Sequence, residues 1–432
     1  MKLHLCVVSV LCSLMTFVSV PALAQTTALI GARVIDGRGG VIDRGTVIVR
    51  DGKIVQVGPV ANVTVPPGAE RVDLAGRTLI PGLINAHGHF TNVIGMRGDP
   101  KGGTRENVLR QAQTYALYGI TSVFSLGEDD LAPAFAVRDE QAKGSPDRAR
   151  IFLAGPVIGG DSAEAARATT DKVAAMHPDV LKIRVDDNLG TSAKMPEAAW
   201  RATIARAKEL KLPIASHIFY LADAKAVLGA GSNFIAHSVR DLPVDAEFIA
   251  MMKANGACYS PTLMREVSTF VYGTTPPWAN DPFFLKGLGS DADSIKKQIT
   301  DPQQQATVQA SNGYKQGLRY KAALEVAQKN LKTLADQGVP IAMGTDTGPA
   351  GRFQGFFEHL ELEMMVDSGL TPMQVLTSAT GVAARCHGKA GQIGTIEPGA
   401  AADFVVLQDN PLQDIKATRT IQSVWIAGKV LR

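Results

Sequence analysis

Four of the eight histidines in this 432-residue chain end short apolar runs. His87 and His89 close the run 83–89 (LINAHGH). In extended backbone residues i and i+2 point the same way, so both imidazoles face one side. His217 closes 213–217 (PIASH), and His237 falls at the end of 234–238 (FIAHS). A lone histidine at a strand end is ordinarily a satisfied core residue. Four converging on one end point to metal, because neutral imidazole is the commonest metal ligand. Lys182 sits inside the apolar run 180–185 (VLKIRV). A buried free ammonium is costly unless paired, and burial lowers its pKa and makes it a nucleophilic amine. Such an amine can capture carbon dioxide as a carbamate, an anion able to bridge two cations. Pairing with a neighbouring carboxylate such as Asp186 is the plainer alternative, and spacing does not choose between them. Asp346 ends 341–346 (IAMGTD), where its carboxylate can bind one metal and accept a proton from metal-bound water. A helix N-cap is the other role for an aspartate there, but glycines and a proline follow it.

These residues need strands that share one end. Apolar runs at 83–87, 121–126, 151–156, 180–185, 213–217, 234–238, 257–260 and 340–344 read as eight strands, with helical patterns such as 197–210 and 222–228 between them. Residues 81–390 therefore fit an α/β fold of the (β/α)8 TIM-like barrel type, with an inserted segment at about 264–320. A doubly wound open sheet is weakened by the absence of a Gly-x-Gly-x-x-Gly turn after an early strand. Residues 25–80 and 391–432 read as short strands, with Asp51-Gly52 as a hairpin turn. Neither end is large enough to fold alone, so the two are expected to pair into one small β-sandwich domain. The segment 270–320 is rich in aromatics (Phe270, Tyr272, Trp278, Phe283, Phe284, Tyr314, Tyr320). It reads as an elaborated loop over the barrel mouth, with a satellite core on the barrel wall as the alternative.

Residues 1–24 carry Lys2, an apolar stretch and the cleavage pattern Pro21-Ala22-Leu23-Ala24. They read as a secretory signal peptide, so the expected location is exported, periplasmic or secreted, with no membrane attachment after cleavage. Lys plus Arg number 44 against 41 Asp plus Glu, a net charge of +3, which gives no reason to expect nucleic acid as a partner. Hydrophobic residues are 45% of the chain, enough for a large core and incompatible with disorder. Past the signal only Cys258 and Cys386 remain. An oxidising compartment permits their pairing, but apolar flanks suggest two buried free thiols. His359 is expected near the site or at the surface, and His177 and His387 at the surface.

The set His87-x-His89, Lys182, His217, His237 and Asp346 resembles the amidohydrolase superfamily of metal-dependent hydrolases. The C-terminal runs 370–376 (LTPMQVL), 378–380 (SAT), 394–399 (GTIEPG) and 402–407 (ADFVVL) are similar to the branch holding imidazolonepropionase-like hydrolases and Xaa-Pro dipeptidases. The likeness runs over nearly all of the chain past the signal, and Lys182 points to the dipeptidase-like side.

That resemblance implies two divalent cations, with zinc expected. His87, His89 and Asp346 hold one, His217 and His237 the other, and carboxylated Lys182 bridges them. Paired metals about 3.5–4 Å apart activate water and polarise a carbonyl. Metal-bound hydroxide then attacks, and Asp346 acts as general base and then acid. The implied substrate is a small amide, cyclic amide or peptide-like molecule cleaved at a C–N bond. Tyr220, three residues after His217, and Arg240, three after His237, are candidates to contact it. Arg240 could clamp a carboxylate, or pair with Asp241 or Asp245. A metal-dependent dipeptidase, a lactonase or phosphotriesterase-like esterase, and a non-catalytic metal- or ligand-binding protein are the competing readings. Self-association into a homo-oligomer stays open.

Overall fold

The computed structural model describes residues 26–127, 132–141, 143–144 and 147–431. The expected signal segment lies outside them. The chain opens with five strands: β1 (Thr26–Ile35), β2 (Val41–Arg50), β3 (Lys53–Pro59), β4 (Glu70–Asp73) and β5 (Thr78–Pro81). Asp51 and Gly52 both have positive φ, 51° and 73°, as the tight β2–β3 turn requires. Nine strands follow. They are β6 (Leu83–Gly88), the small hairpin β7 (Val93–Ile94) and β8 (Arg97–Gly98), β9 (Ile120–Ser125), β10 (Arg150–Leu153), β11 (Leu181–Val185), β12 (Ile214–Ile218), β13 (Phe234–Ala236) and β14 (Cys258–Ser260). The chain ends with β15 (Phe404–Leu407), β16 (Ile421–Ile426) and β17 (Lys429–Val430). No helix among the described residues is long and apolar enough to cross a membrane.

Strands from both ends share one hydrogen-bonded sheet, in the order β17-β16-β15-β5-β1-β2-β3, with β4 beside β1. The two chain ends thus pair as expected, within one hydrogen-bonded sheet that branches at β1. Register shifts in β1 at Ile30/Ala32 and Ala32/Val34 mark bulges, which bend a strand. One face then gathers Leu29, Val34, Val47, Val49, Leu79, Phe404, Val406 and Trp425 into its own core.

In the middle of the chain β6, β9 and β10 pair in parallel, as do β11 to β14. Pairs of backbone bonds link these groups: Ile158 N–H to Lys182 O (2.8 Å) and Asp179 N–H to Leu153 O (2.7 Å), Tyr259 N–H to Pro340 O (2.9 Å) and Ala342 N–H to Tyr259 O (2.9 Å), and Ala86 N–H to Met343 O (2.8 Å) and Thr345 N–H to His87 O (3.1 Å). The strand expected at 340–344 is therefore present as two bonds on either side. Gly344 explains its closeness to β6, since a Cβ there would lie 2.7 Å from His87 Cβ and 2.5 Å from Ser260 Oγ. Helices Glu197–Leu210 and Leu221–Ala230 stand where the periodicity placed them.

The aromatic segment packs on the flank of this body. Trp278 meets Phe357 edge to face at 5.4 Å, and Phe284 lies 5.0 Å from Phe356. Val271, Trp278, Phe284, Ile295 and Ile299 are buried in the main core. Large rings gain more from packing on the rings of helix Phe356–Asp367 than from spanning an open mouth. This part of the segment follows the satellite-core alternative, while its last part reaches the cavity, where Gln316 donates to Asn188 O and the Tyr320 ring lies under Arg265.

Cys258 and Cys386 form a disulfide across 128 residues, against the expectation of two free thiols. It ties β14 to the end of helix Gly381–Cys386. Closing so long a loop removes much unfolded-state entropy. Reduction, or Cys258→Ser, is expected to lower stability by about 2–5 kcal/mol, read as a drop in Tm under reductant in the wild type alone.

His359 and His387 are buried, not at the surface, while His177 is exposed. His359 bonds Tyr118 O (2.9 Å) and Thr418 Oγ1 (3.0 Å); His387 bonds Ala86 O (3.0 Å) and stacks on Phe124 at 3.8 Å. Burial pushes both imidazoles down to about 3. They stay neutral in the folded chain, whereas the unfolded chain protonates both below its usual value of about 6.5. Stability from these rings is full above pH 6.5 and falls as pH drops toward 3. The expected slope is about 1.4 kcal/mol per pH unit for each ring. Denaturant unfolding at pH 6 and pH 5 measures it, and His387→Gln is expected to flatten it.

Candidate metal centre

His87 and His89 project from the end of β6, Lys182 from β11 and His217 from β12. His237 follows β13 with φ of 73°, and Asp346 lies in the loop after Gly344 with φ of 60°. Left-handed backbone at two such residues is strained, and strain of that kind gathers at functional sites. All six side chains line one cavity of about 660 Å³.

One ligand atom each from His87, His89 and Asp346 lies within 4.8 Å of the others. His89 Nε2 is 2.7 Å from Asp346 Oδ1, and His87 Nε2 is 3.5 Å from the same oxygen. Lys182 Nζ is 3.3 Å from His87 Nε2. The His237 ring stands 4.6 Å from that of His87 and 4.1 Å from that of His217. Asp186 lies 2.9 Å from His217 Nε2 and 3.5 Å from Arg184.

Several rings have one nitrogen held by the protein. His89 Nδ1 meets Gly127 O at 3.0 Å, and His237 Nδ1 meets Thr262 Oγ1 at 2.7 Å. Such bonds fix a ring's orientation and leave the other nitrogen to a metal. Burial, with Lys182 nearby, holds His87 well below the usual imidazole range. Burial pushes His217 down to about 3 against the pull of Asp186, and it lowers His237 as well. All three are neutral at pH 7, the form that binds metal. His87 Nδ1 is buried without a hydrogen-bond partner among the described residues, a cost that a bound cation's ordering of the cluster can offset. The donor set therefore fits a divalent metal.

Asp346 also meets positive charge. Burial alone pushes its carboxyl up, but Arg352, then His89 and His87, outweigh burial and hold it well below the ordinary range. Arg352 Nη1 reaches Oδ2 directly, and Arg265 Nε is 4.0 Å from it. Beneath the site, Asn85 accepts from His87 N–H (2.9 Å) and donates to Thr345 Oγ1 (2.9 Å) and Glu358 Oε1 (2.6 Å). That buried network ties the His87 strand to the Asp346 loop.

The two substrate candidates lie elsewhere. Tyr220 donates to Asp187 (2.9 Å) and carries the Lys194 ammonium over its ring. Arg240 is fully buried on Phe219 and paired with Glu266 at 3.1 Å, not with Asp241 or Asp245. Neither side chain lines the cavity. Arg265 and Arg352 do, and sequence reasoning missed both. The signal was there for one of them: Arg265 stands in the run 261–265 (PTLMR) just past a predicted strand.

Stretches of the chain are similar to known proteins. A stretch of 100 residues is 37% identical to ochratoxinase of Aspergillus niger, covering 22% of this chain and 20% of that one. Another of 105 residues is 30% identical to imidazolonepropionase of Shouchella clausii, covering 24% of each. These matches span between a fifth and a quarter of the relatives' lengths. Two solved structures superpose over most of their length. A Xaa-Pro dipeptidase with bound methionine gives a TM-score of 0.72 at 21% identity, covering 94% of this chain and 99% of that one. The Aspergillus niger ochratoxinase structure gives 0.72 at 18% identity, covering 95% and 96%. At those identities the likeness is one of fold. The amidohydrolase family profile matches residues 78–431, from the strand before His87 to the last strand of the sheet, and the chain belongs to that family.

Proposed function

We propose that this chain is an exported, binuclear metal-dependent amidohydrolase that cleaves a C–N bond of a small amide, on a (β/α)8 barrel. The observation that carries the reading is the convergence of His87, His89, Lys182, His217, His237 and Asp346 on one cavity. The circuit of parallel strands and linking backbone bonds supports the barrel, and the disulfide supports an oxidising compartment.

His87, His89 and Asp346 would hold one cation and His217 and His237 the other, with Lys182 as a carbamate between them. Zinc suits such nitrogen and oxygen donors. Bound there, the cations supply Lewis acidity and a lowered pKa for water. The chain's own residues do the rest. Asp346, kept ionised, accepts a proton at a carboxylate oxygen and returns it to the departing nitrogen. Asp186 and Thr262 keep His217 and His237 aimed. The cavity admits a small molecule and not a folded protein.

Metal analysis and turnover test this. Protein purified from Gln25 with zinc and bicarbonate is expected to carry two metal ions per chain and to cleave N-acyl amino acids or dipeptides. Chelation is expected to abolish turnover and zinc to restore it. Metal binding without turnover of any amide, ester or lactone would favour a non-catalytic binding protein instead.

A further inference from the structure

We propose that Arg265 binds a carboxylate carried by the leaving amine, so that the substrate is an N-acyl amino acid or a dipeptide with a free carboxyl end. This rests on the hydrolase reading above. Arg265 sits on the short helix Leu263–Ser268 that follows β14. Its side chain is only 8% exposed, yet it lines the metal cavity. The guanidinium rests on the Tyr320 ring at 4.5 Å, and Nη1 donates to Glu266 at 3.0 and 3.1 Å. Its Nε is buried with no hydrogen-bond partner among the described residues. A buried guanidinium with an unmet donor is costly, and an anion in the cavity removes that cost.

The charge around it is not balanced locally. Glu266 serves both Arg265 and Arg240. Among the described residues Asp346 is the one carboxylate lining the cavity, against the guanidinium groups of Arg184, Arg265 and Arg352. Such a cavity draws anions. A planar guanidinium matches a carboxylate better than an ammonium does.

Position decides which part of the substrate carries the charge. Arg265 Nε is 4.0 Å from Asp346 Oδ2, and Asp346 is the residue assigned to protonate the departing nitrogen. In an α-amino acid the carboxylate is two bonds from that nitrogen. A carboxylate held by Arg265 therefore belongs to the amine side of the scissile bond. Arg240, the arginine that chain position alone suggests, is shut away behind Phe219.

Three substrate series separate the outcomes with the metal-replete wild-type chain, so nothing hangs on a variant that might misfold. They are N-acyl L-amino acids, the same acyl groups on the decarboxylated amines, and succinyl amides of those amines. The expected result is kcat/KM about 10²-fold higher for the first series than for the other two. Arg265→Gln is expected to raise KM at least about tenfold with a smaller change in kcat, and Arg265→Lys to recover part of it. Equal cleavage of acids and decarboxylated amines overturns the carboxylate site and leaves the hydrolase intact. Equal cleavage of the succinyl amides overturns its place on the amine side. Cleavage of none of the three, with turnover of another amide, ester or lactone, overturns the inference and leaves the hydrolase; turnover of none of these removes both.

Discussion

Asp346→Asn is expected to cut kcat by about 10²–10⁴-fold while the chain stays folded. The substitution keeps size and shape but removes the charge that Arg352 and His89 meet. It also removes the proton acceptor. Asparagine tolerates the left-handed backbone at this position, where φ is 60°, so lost turnover is not explained by lost fold. Alanine there adds strain and confounds the result. The check is kcat with Tm and metal content measured on the same preparation. Full turnover by Asp346→Asn would move the base to another group.

Lys182→Ala is expected to cost at least about 10²-fold in activity and to lower the metal content. Truncation leaves a gap in the cavity wall where an anionic bridge is proposed. Acetate or propionate can enter that gap and supply the missing carboxylate, so partial rescue by millimolar short-chain acid is the distinguishing result. A lysine that merely packs beside His87, 3.3 Å away, gives no such rescue. Loss of activity with an unchanged metal count and no rescue would assign Lys182 an electrostatic role alone.

The candidate metal ligands were legible because strand ends are written locally. Alternating apolar residues fix where a strand stops, and His87, His89, His217 and His237 stand at those stops. Lys182 was legible because an ammonium inside an apolar run needs a reason. Arg265 was half legible: the run 261–265 sets it just past a predicted strand, but its role depends on how the Leu263–Ser268 helix turns back over Asp346, which no short-range pattern records. Arg240 misled for the same reason in reverse: the right spacing from His237 still points the side chain at Glu266. The disulfide joins residues 128 apart, and only the folded chain brings them together. The sheet domain was half legible. Pairing of the two chain ends followed from their size, but the strand order and the β1 bulges are set by contacts that alternation does not record.

The sheet has a consequence for how the protein is made. β5 lies between β1 and β15, with Pro81 opposite Phe404. Two residues beyond β5 begins the strand that carries His87. A ribosome thus delivers the stem of the first ligand strand early and its neighbour nearly last. Until residues 404–407 emerge, β5 is a bare edge with unpaired backbone groups. The β15 side of β5 is therefore closed only when all but the last 25 residues of the 432 have been made.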